Sequence, residues 1–178
     1  MGACQSVQPR NSIVLNSDYE NYKGAGVCFK NDTHILAGVQ TIKKERMISG
    51  FGGKREKSDE SYYYTAFREM IEELFEAKAT NDAIYKCIFH FKPKEIKYFE
   101  KNSYVMFIYD MGDLEKMLYE LKKCKIITYA YKQFPTKINE LLFERIKMNS
   151  EIRSICLVPL DTNKYDPWFI EDLHTFQS

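Results

Sequence analysis

Short apolar runs separated by turn residues occupy the first third of the chain, and helical spacing takes over after it. Gly24 to Lys30 and His34 to Thr41 flank the turn-forming Asn31-Asp32, which predicts a β-hairpin. Ile48-Ser49-Gly50-Phe51-Gly52-Gly53-Lys54 carries three glycines in four positions and is expected to be a loop that bends tightly or approaches something closely. Ser61 or Ser58 can cap a helix reaching about Lys78. Strand candidates follow at Ala83 to Phe91, Ser103 to Tyr109, Lys125 to Tyr129 and Arg153 to Leu160. Between them, Leu114, Met117, Leu118 and Leu121 share one helical face, and Ile138, Leu141, Leu142 and Ile146 another. Residues 1–11 read as a flexible lead-in and 12–178 as a single domain of mixed α and β order, without repeat or linker.

The helix after Ser61 has two distinct faces. Phe67, Met70, Ile71, Leu74 and Phe75 form a stripe that would pack on a core, while Glu69, Glu72, Glu73 and Glu76 repeat the same spacing two positions later and gather opposite. Like charges at these separations destabilise a helix by about 0.2–0.5 kcal/mol per pair, and no lysine is interleaved on the stripe. A solvated face would account for the glutamates. A hard divalent cation would too, since Mg²⁺ and Mn²⁺ take carboxylate, water and phosphate oxygens. The preceding glycine-rich segment favours the cation, because it would bring backbone N–H groups and Lys54 beside the same helix, where phosphate binds.

Composition narrows the partners. With 178 residues, 44% hydrophobic, 15% aromatic and 29% charged, the chain can fill one core. Its net charge of +1 supplies no global field for nucleic acid or anionic lipid. Any polyanion site must be local, and lysines do cluster at Ile42-Lys43-Lys44-Glu45-Arg46, Lys92-Pro93-Lys94 and Leu121-Lys122-Lys123-Cys124-Lys125. Five scattered cysteines without a C-x-x-C pair fit neither a disulfide framework nor a zinc site, and point to a reduced, intracellular, cytoplasmic setting. No apolar run is long enough to span a bilayer. Met1-Gly2-Ala3-Cys4-Gln5-Ser6 fits the N-myristoylation pattern, with Cys4 open to palmitoylation; one acyl chain without a polybasic patch gives only weak membrane association.

Gly52-Gly53-Lys54-Arg55-Glu56, then Glu60, then seven residues, then Arg68-Glu69-Met70-Ile71-Glu72-Glu73 resembles the Nudix box, G-x5-E-x7-R-E-U-x-E-E-x-G-U with U bulky and apolar. Two departures stand out. Six residues separate Gly53 from Glu60, so one residue is inserted before Glu60, or else Asp59 takes the first acidic place and the insertion lies beyond it. Phe75 and Glu76 stand where the family has glycine and an apolar residue, so the helix is expected to continue past that point. Outside the box, Gly24-Ala25-Gly26-Val27-Cys28-Phe29 with Ile35-Leu36-Ala37-Gly38-Val39 resembles the family's leading hairpin, and Asn149-Ser150-Glu151-Ile152 with Ile155-Cys156-Leu157-Val158-Pro159-Leu160 its closing strand.

The resemblance implies an α/β/α sandwich around a mixed β-sheet and a divalent-metal-dependent pyrophosphohydrolase acting on a nucleoside diphosphate-linked substrate. It implies Glu69, Glu72 and Glu73 as ligands of Mg²⁺ or Mn²⁺, with Gly53 and Lys54 toward the substrate. Arg68 would orient the ligands, with Glu60 as its partner or support. The general base would be a box glutamate, Glu73 or Glu69, or a later acid, for which Glu151 is best placed. Tyr62-Tyr63-Tyr64, Phe51 and Trp168 are aromatic faces available to a base or sugar, though such residues more often pack in a core. Substrate identity stays open among capped RNA, where the activity would be mRNA decapping, small nucleotides, dinucleoside polyphosphates and diphosphoinositol phosphates. A non-catalytic binding module of the same fold is the competing reading.

Overall fold

The structure, a computed structural model, describes residues 19, 21–42, 45–146 and 151–160, and at 41–42 and 45–47 the backbone alone. The lead-in 1–11 with Gly2, Cys4 and Ser6, the lysines Lys43 and Lys44, the pair Asn149-Ser150, and Trp168 lie outside the described residues.

Among the described residues seven strands and four helices follow one another: β1 Gly24–Lys30, β2 His34–Ile42, β3 Glu45–Ser49, β4 Phe51–Lys54, α1 Tyr62–Phe75, α2 Asn81–His90, β5 Glu95–Phe99, β6 Tyr104–Asp110, α3 Met111–Lys123, α4 Ile138–Phe143 and β7 Ile152–Pro159. The strands form one sheet in the order β3-β2-β1-β6-β5, with β4 also on β1 and β7 also on β2. β1 and β6 run parallel and the other pairings are antiparallel, so the sheet is mixed, as the resemblance implies. β1 is buried along nearly its whole length, which is why it reads as an almost unbroken apolar run rather than an alternating one.

The first hairpin forms as the sequence predicts. Its turn is fastened by Asn31, whose Oδ1 accepts from the amides of Thr33 (3.0 Å) and His34 (2.8 Å). The glycine-rich segment, expected as a loop, is instead β4, paired with β1 through Ala25↔Gly53 and Gly26↔Gly52. Glycine serves close approach here. A Cβ on Gly52 would fall 2.5 Å from the Gly26 Cα and 2.7 Å from the Ala25 carbonyl oxygen, with the Tyr104 hydroxyl at 2.1 Å.

Residues 83–91, expected as a strand, form α2, because Thr80 caps it (Oγ1 accepts from the Ala83 amide, 3.3 Å) and Ala83, Ile84 and Cys87 bury one helical face. Residues 125–129, also expected as a strand, are irregular and expose Ile127 and Tyr129, with Lys125 at φ 53°. Glu95–Phe99, which the sequence did not mark, forms the edge strand β5 on β6. α3 carries the expected apolar face, β6 lies one residue later and β7 one residue earlier than expected, and α4 is a shorter helix than its stripe suggested.

α1 lies across β1 and β4 and fills the larger core with Phe67, Met70, Ile71, Leu74 and Phe75, all fully buried. Burial of five such side chains contributes on the order of 10 kcal/mol. Repulsion along the glutamate stripe costs roughly 1–2 kcal/mol, so packing decides that this segment is helical despite its charge. A smaller cluster, including Cys28, Ile35, Ala37, Met106, Ile108 and Val158, lies apart from it; none of its members comes from a helix.

Two glycines separate packing from propensity. Gly52→Ala forces its methyl into neighbouring backbone and should destabilise the protein by about 2 kcal/mol or more. Gly112→Ala, in the first turn of α3 with nothing within 4 Å of the added Cβ, should stabilise it by about 0.5–1 kcal/mol. Urea midpoints of the two variants against the parent check both signs.

Candidate metal centre

The site is assembled where β4, the turn after it and α1 meet. Ser61 caps α1, its Oγ accepting from the Tyr64 amide (3.1 Å), and fixes where Arg68 falls, two turns in. Arg68 is buried and uses its whole guanidinium. Nε and Nη2 donate to the two oxygens of Asp59 (both 3.0 Å), Nη2 also to the Lys54 carbonyl (2.9 Å), and Nη1 to Glu72 (2.9 Å); Glu69 lies 2.9 Å from Nη2. A planar fork of five donors suits this fan, where a lysine would reach fewer acceptors.

Asp59, at 3% exposure, is therefore the acid that serves Arg68, and Glu60 is not. Glu60 points outward and accepts from the Tyr85 hydroxyl, whose pKa is pushed up to about 12 by that bond. With Asp59 in the first acidic place the spacing from Gly53 is five residues, as in the family pattern, and the extra residue lies between Asp59 and Arg68. Asp59 also accepts from the Glu56 amide (2.9 Å) and the Thr65 hydroxyl (2.8 Å), and Thr65 in turn meets the Tyr22 hydroxyl (2.9 Å). Burial alone would raise the Asp59 pKa, but the hydrogen bonds from Arg68, Glu56 and Thr65 outweigh it and hold the carboxyl below its ordinary value.

The four glutamates of the stripe are not alike. Glu72 and Glu69 lean on Arg68, and Glu76 lies against Arg145 (3.4 Å). Protein cations thus answer most of the repulsion that the sequence left unrelieved. Glu73 differs. It is half-buried, and its Oε2 accepts from the Gly52 amide (2.7 Å). Burial raises its pKa well above the ordinary value, and repulsion from Glu69, Glu151 and Glu72 adds to this against the pull of the Gly52 amide. Glu69 is raised too, first by burial. Glu151, exposed just ahead of β7, is thus close enough to Glu73 for its charge to be felt.

Gly53 and Lys54 fall beside these groups. A Cβ on Gly53 would lie 2.5–2.6 Å from the Glu69 carboxylate, so that carboxylate occupies space which only glycine leaves. Lys54 contributes its carbonyl to Arg68 and projects an exposed side chain. Phe51, Tyr62, Tyr63 and Tyr64 belong to or pack against the core, so their apolar role accounts for them.

Among the described residues no three acidic, histidine or cysteine side chains converge closely enough to hold a metal ion as they stand. The donor set nevertheless fits one. It consists of carboxylate oxygens, hard ligands of the kind Mg²⁺ and Mn²⁺ take, and it includes a half-buried glutamate repelled by three others, a charge that a divalent cation relieves. Holding the ion would require Glu69 and Glu72 to swing from Arg68 toward Glu73.

The reading from sequence missed Arg145, which sits in an ordinary polar stretch after α4 and carries no motif. It preferred Glu60 to Asp59, although the G-x5-acid spacing and Thr65, six residues on, pointed to Asp59.

No family model and no curated protein matches the chain. Solved structures similar to it include three hydrolases or hydrolase-containing proteins. One is a NUDIX hydrolase from Nitrosomonas europaea, at 10% identity and TM-score 0.44 over 88% of each chain. Another is a NUDIX-family hydrolase from Clostridium perfringens, at 12% identity and TM-score 0.36 over 87% of this chain and 95% of that one. A third is a bifunctional NMN adenylyltransferase/ADP ribose pyrophosphatase from Francisella tularensis, at 12% and 0.43, covering 88% of this chain and 42% of that one. At such identities and scores the likeness does not decide the activity, which is argued from the site's own residues.

Asp59→Asn leaves Arg68 facing an amide in a buried place and should cost about 3–5 kcal/mol of stability at pH 7, whereas Glu60→Gln, at an exposed position, should stay within about 0.5 kcal/mol of the parent. The Asp59 carboxyl is depressed in the folded state, so its contribution is complete above the unfolded pKa and is lost as pH falls through the folded one. The stability gap between parent and Asp59→Asn should therefore shrink below about pH 4, as thermal melts at pH 7 and in acid would show.

Proposed function

We propose that this chain is a Nudix hydrolase: a pyrophosphohydrolase that uses Mg²⁺ or Mn²⁺ to cleave the phosphate–phosphate bond of a nucleoside diphosphate-linked substrate. The observation that carries the reading is Glu73, a half-buried carboxylate one helical turn from Glu69, bonded to the glycine strand and repelled by Glu69, Glu151 and Glu72. A solvated acidic face would not turn a carboxylate onto a strand amide. A purely structural glutamate would sit beside a cation of the protein, as Glu72 and Glu76 do.

Glu69, Glu72 and Glu73 would hold the ion, which when bound lowers the pKa of a water and neutralises phosphate oxygens. The protein's own groups do the rest. Arg68, fixed by Asp59, keeps Glu69 and Glu72 at the edge of the site. Gly53 leaves the space in which the Glu69 carboxylate sits, and Lys54 offers its ammonium to a phosphate oxygen. Of the bases left open, Glu151 is favoured, because it is exposed to water while Glu73 is engaged by Gly52. Water attacks one phosphorus and gives its proton to that carboxylate. The bridging P–O bond breaks, and the leaving phosphate keeps the electron pair.

Small nucleotides are favoured over capped RNA. The net charge is +1, and two lysines of the sequence clusters are paired within the protein, Lys94 with Asp110 and Lys123 with Glu120. We place the protein in the cytoplasm on its scattered, odd-numbered cysteines. No helix among the described residues is long and apolar enough to cross a membrane.

The test is a panel of NDP-sugars, dinucleoside polyphosphates, capped RNA and inositol pyrophosphates, each with Mg²⁺, Mn²⁺ or chelator. A nucleoside diphosphate derivative should be split into two phosphate products only with metal. Glu73→Gln should lower kcat/KM by about 100-fold or more, and Glu60→Gln should leave it unchanged. Equal activity of parent and Glu73→Gln across the panel would refute the enzyme reading and leave a binding module.

A further inference from the structure

Arg145 follows α4, and its side chain is only 3% exposed. Nη1 donates to the Leu74 carbonyl and approaches the Tyr131 hydroxyl (3.4 Å). Nη2 donates to the Glu73 carbonyl (3.1 Å) and the Ile152 carbonyl (2.9 Å), with Glu76 Oε1 at 3.4 Å. Nε is buried without a partner. A cation at the C-terminal end of a helix is favourable, but capping α1 accounts only for the bonds to the Glu73 and Leu74 carbonyls and not for the one to Ile152. A buried guanidinium with an unmet Nε–H is more than capping demands. Its distinguishing feature is that one nitrogen joins the backbone of Glu73, on α1, to that of Ile152, the residue after Glu151.

We propose that Arg145 is a positioning residue for hydrolysis. By tying the last turn of α1 to the start of β7, it sets the separation of Glu73 and Glu151, and so holds the proposed base opposite the proposed metal ligand. The inference rests on the roles given to Glu73 and Glu151 under the proposed function. Lysine cannot replace the arginine here, because a single ammonium on a shorter head does not reach carbonyls of two elements in fixed directions.

Full-length Arg145→Lys and Arg145→Gln are compared with the parent by Mn²⁺ titration without substrate, by kcat and KM, and by amide exchange at the end of α1 and the start of β7. In Arg145→Lys, Mn²⁺ affinity should weaken about tenfold and kcat should fall about 10–100-fold with KM little changed. Exchange should quicken in both segments together. In a Glu151→Gln background the same substitution should cost less than about twofold in kcat, since the group it positions is gone. The role is overturned if Arg145→Lys and Arg145→Gln lose melting temperature while folded molecules keep parental kcat and Mn²⁺ affinity. It is equally overturned if the effects of Arg145→Lys and Glu151→Gln multiply. Should the parent hydrolyse nothing, the proposed function falls, and exchange alone decides the tie: joint quickening supports it, and quickening in one segment or neither refutes it.

Discussion

Arg68 and Asp59 form a buried ion pair with two parallel hydrogen bonds, and much around them serves to satisfy that pair. Removing two charges from water costs several kcal/mol per ion, and their attraction repays it only when the remaining donors and acceptors are met. They are met from three directions. The Glu56 amide comes from the turn after β4, Thr65 from the first turns of α1, and the Lys54 carbonyl from β4 itself. The same bonds that neutralise the pair therefore lock strand, turn and helix together. Once they are locked, the positions of Glu69, Glu72 and Glu73 relative to the glycine strand follow from helical spacing alone.

At the far end of α1 a different solution does a comparable job. The family pattern has a glycine at the helix end, and this chain has Phe75 and Glu76. The helix nevertheless stops at Phe75, with Glu76 at φ 46°, a conformation that costs a non-glycine residue roughly 1–2 kcal/mol. What sustains it is donation to the last carbonyls by a distant segment. Thr128 Oγ1 donates to the Phe75 carbonyl (2.6 Å), the amides of Tyr129 and Ala130 converge on it, and Arg145 takes those of Glu73 and Leu74. Phe75 in the glycine's place is buried against Phe134 in a stacked pair (4.5 Å), so the substitution adds core contact. The expectation that α1 runs on to Lys78 fails for this reason: tertiary bonds end it where local sequence does not.

What could be read from the chain was what depends on spacing. The stripe from Phe67 to Phe75, the first hairpin, β6, α3 and β7 are periodic patterns whose partners lie nearby or whose burial is complete. What could not be read depends on contacts distant in sequence. Gly52 and Gly53 look like loop residues until β1 is laid beside them, when their missing side chains become the condition for pairing. Residues 83–91 are apolar enough for either element, and Thr80 with the Ala83, Ile84, Cys87 face decides for a helix. Arg145 is invisible locally, because its acceptors are backbone carbonyls around residues 74 and 152, and carbonyls leave no signature in a sequence. Asp59 was half legible: its spacing from Gly53 was right, but burial separates it from Glu60, and burial is a property of the fold.

The electrostatics of the stripe carry the functional argument further than the count of glutamates did. Four like charges on one helix face suggested a missing cation, yet Arg68 and Arg145 already supply positive charge to Glu69, Glu72 and Glu76. Glu73 has the Gly52 amide instead, and the charge of Glu151 adds to the repulsion it meets from Glu69 and Glu72. The demand for a divalent ion is therefore concentrated at Glu73 rather than spread along the helix. Recruiting Glu69 and Glu72 as further ligands means drawing them from Arg68, and the Asp59 pair makes that exchange feasible: Arg68 would keep its buried partner and the Lys54 carbonyl when the two glutamates leave, so the ion competes for their charge without leaving a buried guanidinium unpaired.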